Sequence, residues 1–487
     1  ITNTNWQSYS GESQMSYLTQ ALGLTVQNFV SAAVGIAVLF ALIRGFNKVK
    51  ESRLGNFWVD VTRVLLYVLI PLSFIVSIAL VSQGVSQTFR SGDTIQLLEP
   101  IAVKDGNIIE NATIEDNQAY VNGEPIEGAS IITEQYVPLG PAASQIAIKQ
   151  LGTNGGGFYG VNSAHPLENP SYLTNMVECL SIMLIPMALI WTLGFYMKKK
   201  KFAFYIFGAM LTVYLATVPV SVQQEMSGNK ALTEMGISQP DGSMEGKEVR
   251  LGSAATAWWA MTTTATSNGS VNGSHDSLTP LSGALAMLNM QINCWFGGAG
   301  VGFMNYYIFI IIAVFISGLM VGRTPEFLGK KIEAKEMKIA IIIALLHPFV
   351  ILTGTALASY LAAKNPALAD QWLNNPSFHG LSEMLYEFTS AAANNGSGFE
   401  GLGDNTPFWN IATGIVLLLC RYIPIIGQVA IAGILAQKRY VPESAGTLKT
   451  DTFTFSVMTF VVIFIVAALS FFPALTLGPI ADYLTMK

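Results

Sequence analysis

Four stretches of this chain combine Asn, Gly, Ser and Thr in a way that suits one kind of chemistry. They are ITNTNWQSYSG at 1–11, TNGGGFYGVNSAHP at 153–166, TSNGSVNGSHDS at 266–277 and AANNGSGFEG at 392–401. Glycine permits backbone angles that aim successive carbonyl oxygens the same way, and asparagine tolerates left-handed conformations. Carbonyls aimed in this manner replace the hydration shell of a small cation. Asp and Glu are absent from Asn3–Ser10, Thr153–Phe158, Ser267–Ser270 and Asn394–Phe399. That favours a dehydrated monovalent ion over a carboxylate ring of the calcium type. A single such cluster is an ordinary turn signal. Four at equivalent points of a repeat read as the walls of one pore.

Loops of this kind need a framework, and the composition points to a membrane. Half the residues are hydrophobic (51%) and only 12% are charged, against about 25% in soluble domains. A crossing takes about 20 apolar residues, which places spans at 19–43, 57–83, 171–197, 202–222, 336–361, 407–437 and 452–476. The apolar region 278–321 is different. Its length corresponds to about 66 Å of helix, twice the roughly 30 Å hydrocarbon core. A break is therefore expected at Gly297, Gly298, Gly300 and Gly302 in GGAGVG, and broken helices at mid-membrane line a pathway. Segments 139–151, 253–265 and 381–391 precede the last three polar loops and are too short to cross. They read as re-entrant helices, because non-helical backbone at membrane depth survives only inside protein or beside water.

Charge sets the orientation. Arg44, Lys48, Lys50 and Arg53 fill one connection, Lys198 to Lys201 another, Arg323, Lys330, Lys331 and Lys335 a third, and Lys438 with Arg439 a fourth. Segment 84–138 instead holds nine acidic residues against Arg90 and Lys104. The positive-inside bias puts the basic connections in the cytoplasm and the polar loops on the outside. The expected fold is an all-α polytopic membrane protein of four quasi-repeated helix–pore-helix–filter–helix units around one pore. The units fall at 1–56, 57–200, 201–335 and 336–440, followed by a C-terminal span and tail at 441–487.

Remaining polar groups divide into pore and packing. Arg421 in LLLCRYIPIIG is too central to snorkel, so it faces a bundle interior or water. Glu178 and His347 are read as buried hydrogen-bonding partners, and His165 and His275 as loop supports. Cys179, Cys294 and Cys420 lack metal spacing and are packing residues. No G-x-x-x-x-G-K-[ST] or D-K-T-G occurs, and the basic connections are too short for a nucleotide domain. The chain is therefore expected to bind no nucleotide, and any pumping to come from a partner. An intramembrane enzyme would need a Ser/His or metal constellation that the spans lack.

The segments TNTNWQSYSGE, TNGGGF…NSAHPLENP, NGSVNGSHDS, GGAGVGF, GLMVGRTPEFLGKKIEAKEMK, AANNGSGFEGL and PALTLGPIADYL resemble the potassium-binding subunit (KdpA) of the Kdp potassium-transporting ATPase. That family is akin in architecture to the Trk, Ktr and Hkt potassium transporters. The resemblance implies a potassium filter built from Asn3, Thr4, Thr153, Asn154, Gly155, Ser267, Asn268, Gly269, Asn394, Asn395 and Gly396. Gln7 belongs to the first filter motif, where a polar side chain supports potassium affinity. It further implies a gate at Gly297, Gly298, Gly300 and Gly302 beneath the filter, and Arg421 as a charge below it. Potassium is the one cofactor implied.

The implied partners are an ATP-hydrolysing P-type ATPase subunit, a small single-span subunit and a small lipid-like one. The setting is the lipid of a bacterial plasma membrane, with no nucleic acid involved. Potassium would pass sideways to the P-type ATPase partner through an intersubunit tunnel. The family carries further N-terminal sequence, so the first unit is expected here only as its filter and second helix. Asn268 stands where better-known members carry Cys, a change that a backbone-carbonyl site tolerates and that leaves its effect on selectivity open. The alternative is an autonomous Trk- or Ktr-like channel or gradient-driven transporter. Only 318–338 and the C-terminal segment favour the pump.

Overall fold

The structure, a computed structural model, describes residues 2–115, 118–320, 322, 324–441 and 448–486. Ile1 of the first polar loop and Arg323 of a basic connection lie outside the described residues. The helices that matter here are α1 (Thr19–Asn47), α2 (Phe57–Ser82), α3 (Ala142–Leu151), α4 (Tyr172–Tyr196), α5 (Lys200–Met226), α6 (Gly252–Ala265), α7 (Pro280–Ile292), α8 (Val301–Met320), α9 (Ala334–Lys364), α10 (Phe378–Ala393), α11 (Pro407–Gln437) and α12 (Phe453–Leu475). Eight helices among the described residues are long and apolar enough to cross a membrane: α1, α2, α4, α5, α8, α9, α11 and α12. The chain is a multi-pass membrane protein.

Local signals set the helix starts. Ser171 and Thr174 form a reciprocal capping box ahead of α4, and Glu333 with Glu336 does the same for α9. Pro407 opens α11 at a position whose N–H has no intrahelical partner. Pro186, Pro348 and Pro424 lie inside spans, where neighbouring helices make such interruptions tolerable. The 278–321 region breaks as its length requires. α7 stops at Ile292 and α8 begins at Val301, and Asn293, Phe296, Gly297 and Gly300 between them are left-handed.

Two features differ from the sequence reading. The acidic segment 84–138 is more than a loop: β1 (Gly92–Lys104) and β2 (Ser130–Pro138) pair antiparallel from Gly92↔Pro138 to Val103↔Ser130. Lys330, counted above only among the residues of a basic connection, is buried. Its ammonium donates to Gly45 O (2.9 Å) and Leu435 O (2.7 Å), near the C-terminal ends of α1 and α11, and also to Lys48 O. The carbonyl-rich ends of two helices thus converge on one cation, as their dipoles favour. Nearby, Lys438 pairs with Glu333 (2.8 Å) and Glu336 (2.6 Å), so the basic connections meet at one end of the bundle.

Lys330→Met is expected to leave those carbonyls unpaired, at about 1–3 kcal/mol for each buried group. The thermal midpoint in detergent should fall clearly. The exposed Lys335→Met should hold stability within about 0.5 kcal/mol.

Candidate functional site

α3, α6 and α10 end in the same way. The chain turns left-handed at Thr153 (φ 51°), Ser267 (φ 52°) and Asn394 (φ 53°). The next N–H then returns to the helix, Asn154 to Lys149 O at 2.8 Å, Asn268 to Thr263 O at 3.1 Å and Asn395 to Ser390 O at 2.9 Å. This is the long bond of a Schellman cap, with Thr, Ser and Asn in the place usually held by glycine. Glycine follows two positions later, again left-handed: Gly155 (φ 90°), Gly269 (φ 88°) and Gly396 (φ 106°). Gly269 N–H donates to Thr263 Oγ1 (2.9 Å) and Gly396 N–H to Ser390 Oγ (3.0 Å). Each triplet is left-handed at its first and third residues.

The first loop repeats the pattern, with Asn3 (φ 64°) and Asn5 (φ 47°) flanking Thr4. Asn5 therefore stands where the other loops have glycine, and sequence reasoning missed it. The signal was available, since N-T-N at 3–5 and T-N-G at 153–155 align residue for residue once the repeat is registered. A β-branched residue at positive φ stores about 1–3 kcal/mol of strain. Thr153 is held there by its hydroxyl, which donates to Gly152 O (2.7 Å) and accepts from Ala299 N–H (2.9 Å).

The four loops close into a ring. A Cβ on Gly155 would collide with Asn268 O, one on Gly269 with Asn395 O, and one on Gly396 would lie 2.7 Å from Thr4 O. Each glycine thus makes room for a carbonyl of the next loop, and Gly156 packs on Asn5 to close the circle. Asparagine side chains brace the same joints. Asn268 Nδ2 donates to Lys149 O (3.1 Å), Asn395 Nδ2 to Thr263 O (2.9 Å), and Asn3 Nδ2 to Gly152 O (3.2 Å). Asn154 Nδ2 reaches Ser31 Oγ (3.0 Å) and Asn3 Oδ1. The sequence reading gave asparagine a backbone role only. Asn3, Asn5 and Asn394 have it, Asn3 bracing through its amide as well, whereas Asn154, Asn268 and Asn395 act through their amides alone.

Above the ring lies a cavity of about 510 Å³ lined by all four loops. Gln7 lines it, accepting from Gly157 N–H (3.1 Å) and donating to Tyr9 O (3.2 Å). Glu248, Glu387, Glu400 and Asp404 also line it. Glu400 joins two of these loops. It accepts from Ser274 Oγ and from the amides of His275 and Asp276, tying loop four to loop three. Below the ring, a small cavity is lined by Ser267 and Asn394 at its top and by Asn293, Asn305, Arg421 and Gln428.

The break between α7 and α8 packs under the loops. Gly297 N–H donates to Ala265 O (2.9 Å). A Cβ on Gly300 would strike the Gly35 carbonyl of α1, and one on Gly302 the Phe296 carbonyl. Gly298 has neither a left-handed φ nor a backbone atom in the way, so nothing local requires glycine there.

Behind the loops, Lys149 pairs with Glu168, and Lys247 with Glu225 at 3.0 Å, all four side chains fully buried. Glu178 accepts from Gln150 and Ser163, both at 2.7 Å. His275 Nδ1 meets Tyr386 OH at 2.9 Å, His347 Nε2 meets Met290 O at 3.1 Å, and His165 stacks on Tyr159.

The family described as potassium-transporting ATPase A subunit (KdpA) matches residues 1–484. The chain belongs to that family. Proteins of Phocaeicola vulgatus and Bacteroides thetaiotaomicron, both named potassium-transporting ATPase potassium-binding subunit, are each 57% identical to it. One of the same name from Flavobacterium psychrophilum is 54% identical. Each match covers the whole of this chain and 80% of the relative. The crystal structure of the potassium transporter TrkH from Vibrio parahaemolyticus aligns over 88% of this chain and 75% of its own, at 11% identity and a TM-score of 0.49.

Thr153→Val keeps the side chain's shape and removes the hydroxyl that holds the strained turn. A loss of about 1–3 kcal/mol is expected from the unpaired buried amide of Ala299, read as a lower thermal midpoint. A midpoint equal to the unaltered chain would mean the hydroxyl holds nothing.

Proposed function

We propose that this chain is the potassium-binding subunit of an ATP-driven potassium uptake complex, with the four-loop ring as its selectivity filter. One observation carries the reading. Four loops share a left-handed, middle, left-handed triplet and fit together glycine to carbonyl in a closed circle. The amides of Asn154, Asn268 and Asn395 are committed to the pore-helix ends, and no carboxylate stands in the triplets. The three helices also aim their C-terminal partial negative charge at the ring, which favours a cation and repels an anion. These are the conditions for replacing a monovalent ion's water with backbone oxygen.

The filter residues are Asn3, Thr4, Asn5, Thr153 to Gly155, Ser267 to Gly269 and Asn394 to Gly396, with Gln7 fixing the mouth. Arg421 is the charge below the filter, repelling a cation from straight passage, and the α7–α8 break is the gate between filter and exit. The four pore units are 1–56, 57–200, 201–335 and 336–440, and 441–487 forms a C-terminal span. The filter mouth faces outward from a bacterial plasma membrane, because the basic connections gather at the opposite end. Hydrolysis belongs to a separate P-type ATPase subunit. Two small partners, one with a single span and one lipid-like, complete the assembly.

The test is potassium-stimulated ATP hydrolysis by the complex purified gently from its own membrane. Gly155→Ala should weaken apparent potassium affinity at least about tenfold, equivalent to 1.4 kcal/mol. Gly208→Ala, at an open helical position, should not change it. Unchanged affinity in the first variant removes Gly155 from the filter. A chain isolated without an ATPase that still conducts potassium in liposomes would instead make it an autonomous transporter.

Arg421→Ala should alter potassium flux and its coupling to hydrolysis while leaving potassium-over-sodium preference as it was. A changed preference would move Arg421 into the filter itself.

A further inference from the structure

Away from the filter, three elements meet at one group of ligand-type side chains. His379 and Glu383 stand four residues apart on α10 and so share one face of the helix. Asp276 reaches them from the end of the third filter loop, and Asp482 from the C-terminal helix Ala481–Thr485. A nitrogen of His379 and an oxygen each of Asp276 and Glu383 all lie within 4.8 Å of one another. We propose that Asp276, His379 and Glu383 form a binding site for a zinc-class divalent cation on the mouth side of the chain, oriented by Asp482.

Three further observations support this. His379 Nε2 faces Asp276 Oδ1 at 3.0 Å while Nδ1 faces Asp482 Oδ2 at 2.9 Å. A carboxylate on Nδ1 fixes the tautomer that leaves Nε2 for a metal, the usual arrangement around a metal-bound histidine. Glu383 is buried, and its Oε2 has no hydrogen-bond partner among the described residues. A buried unpaired carboxylate oxygen calls for an explanation, and a bound ion supplies one. Asn375 Nδ2 bridges Asp276 Oδ2 (3.1 Å) and Glu383 Oε1 (3.0 Å), holding the two carboxylates toward each other. Gly401 keeps the space open, since a Cβ there would lie 2.5 Å from both carboxylates.

The donor set selects the ion. One imidazole and two carboxylates suit a transition-series divalent ion, whereas calcium and magnesium take all-oxygen shells. Ligands at about 2.0–2.2 Å from zinc complete a tetrahedron with one water. The ring's Nε2 proton leaves to solvent as the metal takes its place. His379 is only partly exposed, 20% by side chain, and Asp276 11%, so the ion reaches the site from the aqueous side. Bound there, it would fasten the third filter loop, the fourth pore helix and the C-terminal helix to one point.

The test is zinc binding to the chelator-stripped complex, measured by competition with a chromophoric chelator. One zinc per chain is expected. His379→Ala and Glu383→Gln should each weaken binding by about 10–100-fold, and Asp482→Asn by about tenfold as an orienting group. His379→Cys should restore binding, because it restores a zinc ligand. Glu383→Gln is nearly isosteric and carries the test if His379→Ala does not fold. An unaltered complex that retains no zinc, or a Glu383→Gln complex that binds it as tightly, overturns the proposal.

Discussion

Irregular backbone at membrane depth must have its polar groups satisfied from within the protein, and that requirement organises this molecule. The solution uses two carbonyls twice. Lys149 O accepts the returning amide of its own loop and the Asn268 side chain of the next, and Thr263 O does the same for Asn268 N–H and the Asn395 side chain. The bond that caps one pore helix therefore also fixes the neighbouring loop. Removing the glycines would break this order, because the carbonyl packed against each one comes from a different quarter of the ring.

Charge balance behind the ring follows from the same geometry. Bringing helix C-terminal ends together concentrates negative potential, and the protein places buried cations close by, Lys149 on α3 itself and Lys247 ahead of α6. Each is matched to a buried glutamate. Breaking one partner of such a pair strands a charge in low dielectric, which costs more than keeping the pair. Arg250 adds further bracing, donating to Ala164 O of the second loop and to Asn169 O just beyond it. Arg250 thereby ties the segment ahead of α6 to the second loop through polar contacts.

The repeat was legible because its cause is local. Span length, the shortness of the re-entrant segments and the recurring Asn/Gly clusters are each properties of a contiguous stretch, and the necessary break in 278–321 follows from length alone. What depended on contacts between stretches was not legible. That Asn268 and Asn395 serve as braces depends on which carbonyl lies beside them. That Lys330 is buried depends on two helix ends arriving together from positions nearly 400 residues apart in the chain. Asn5 was hidden for another reason: the repeat was recognised by glycine, and this quarter has none at that place. The β1–β2 ribbon escaped because its strands are mostly exposed and show little alternation between buried and exposed positions.

Asn5 also bears on how such a ring changes over generations. A pore assembled from four identical chains receives every substitution four times, so a residue that is slightly wrong in one place is wrong all round. Here the quarters are encoded separately, and one holds asparagine where the other three hold glycine, all four at positive φ. The ring can therefore vary one quarter at a time, with three unaltered walls holding the geometry while the fourth changes.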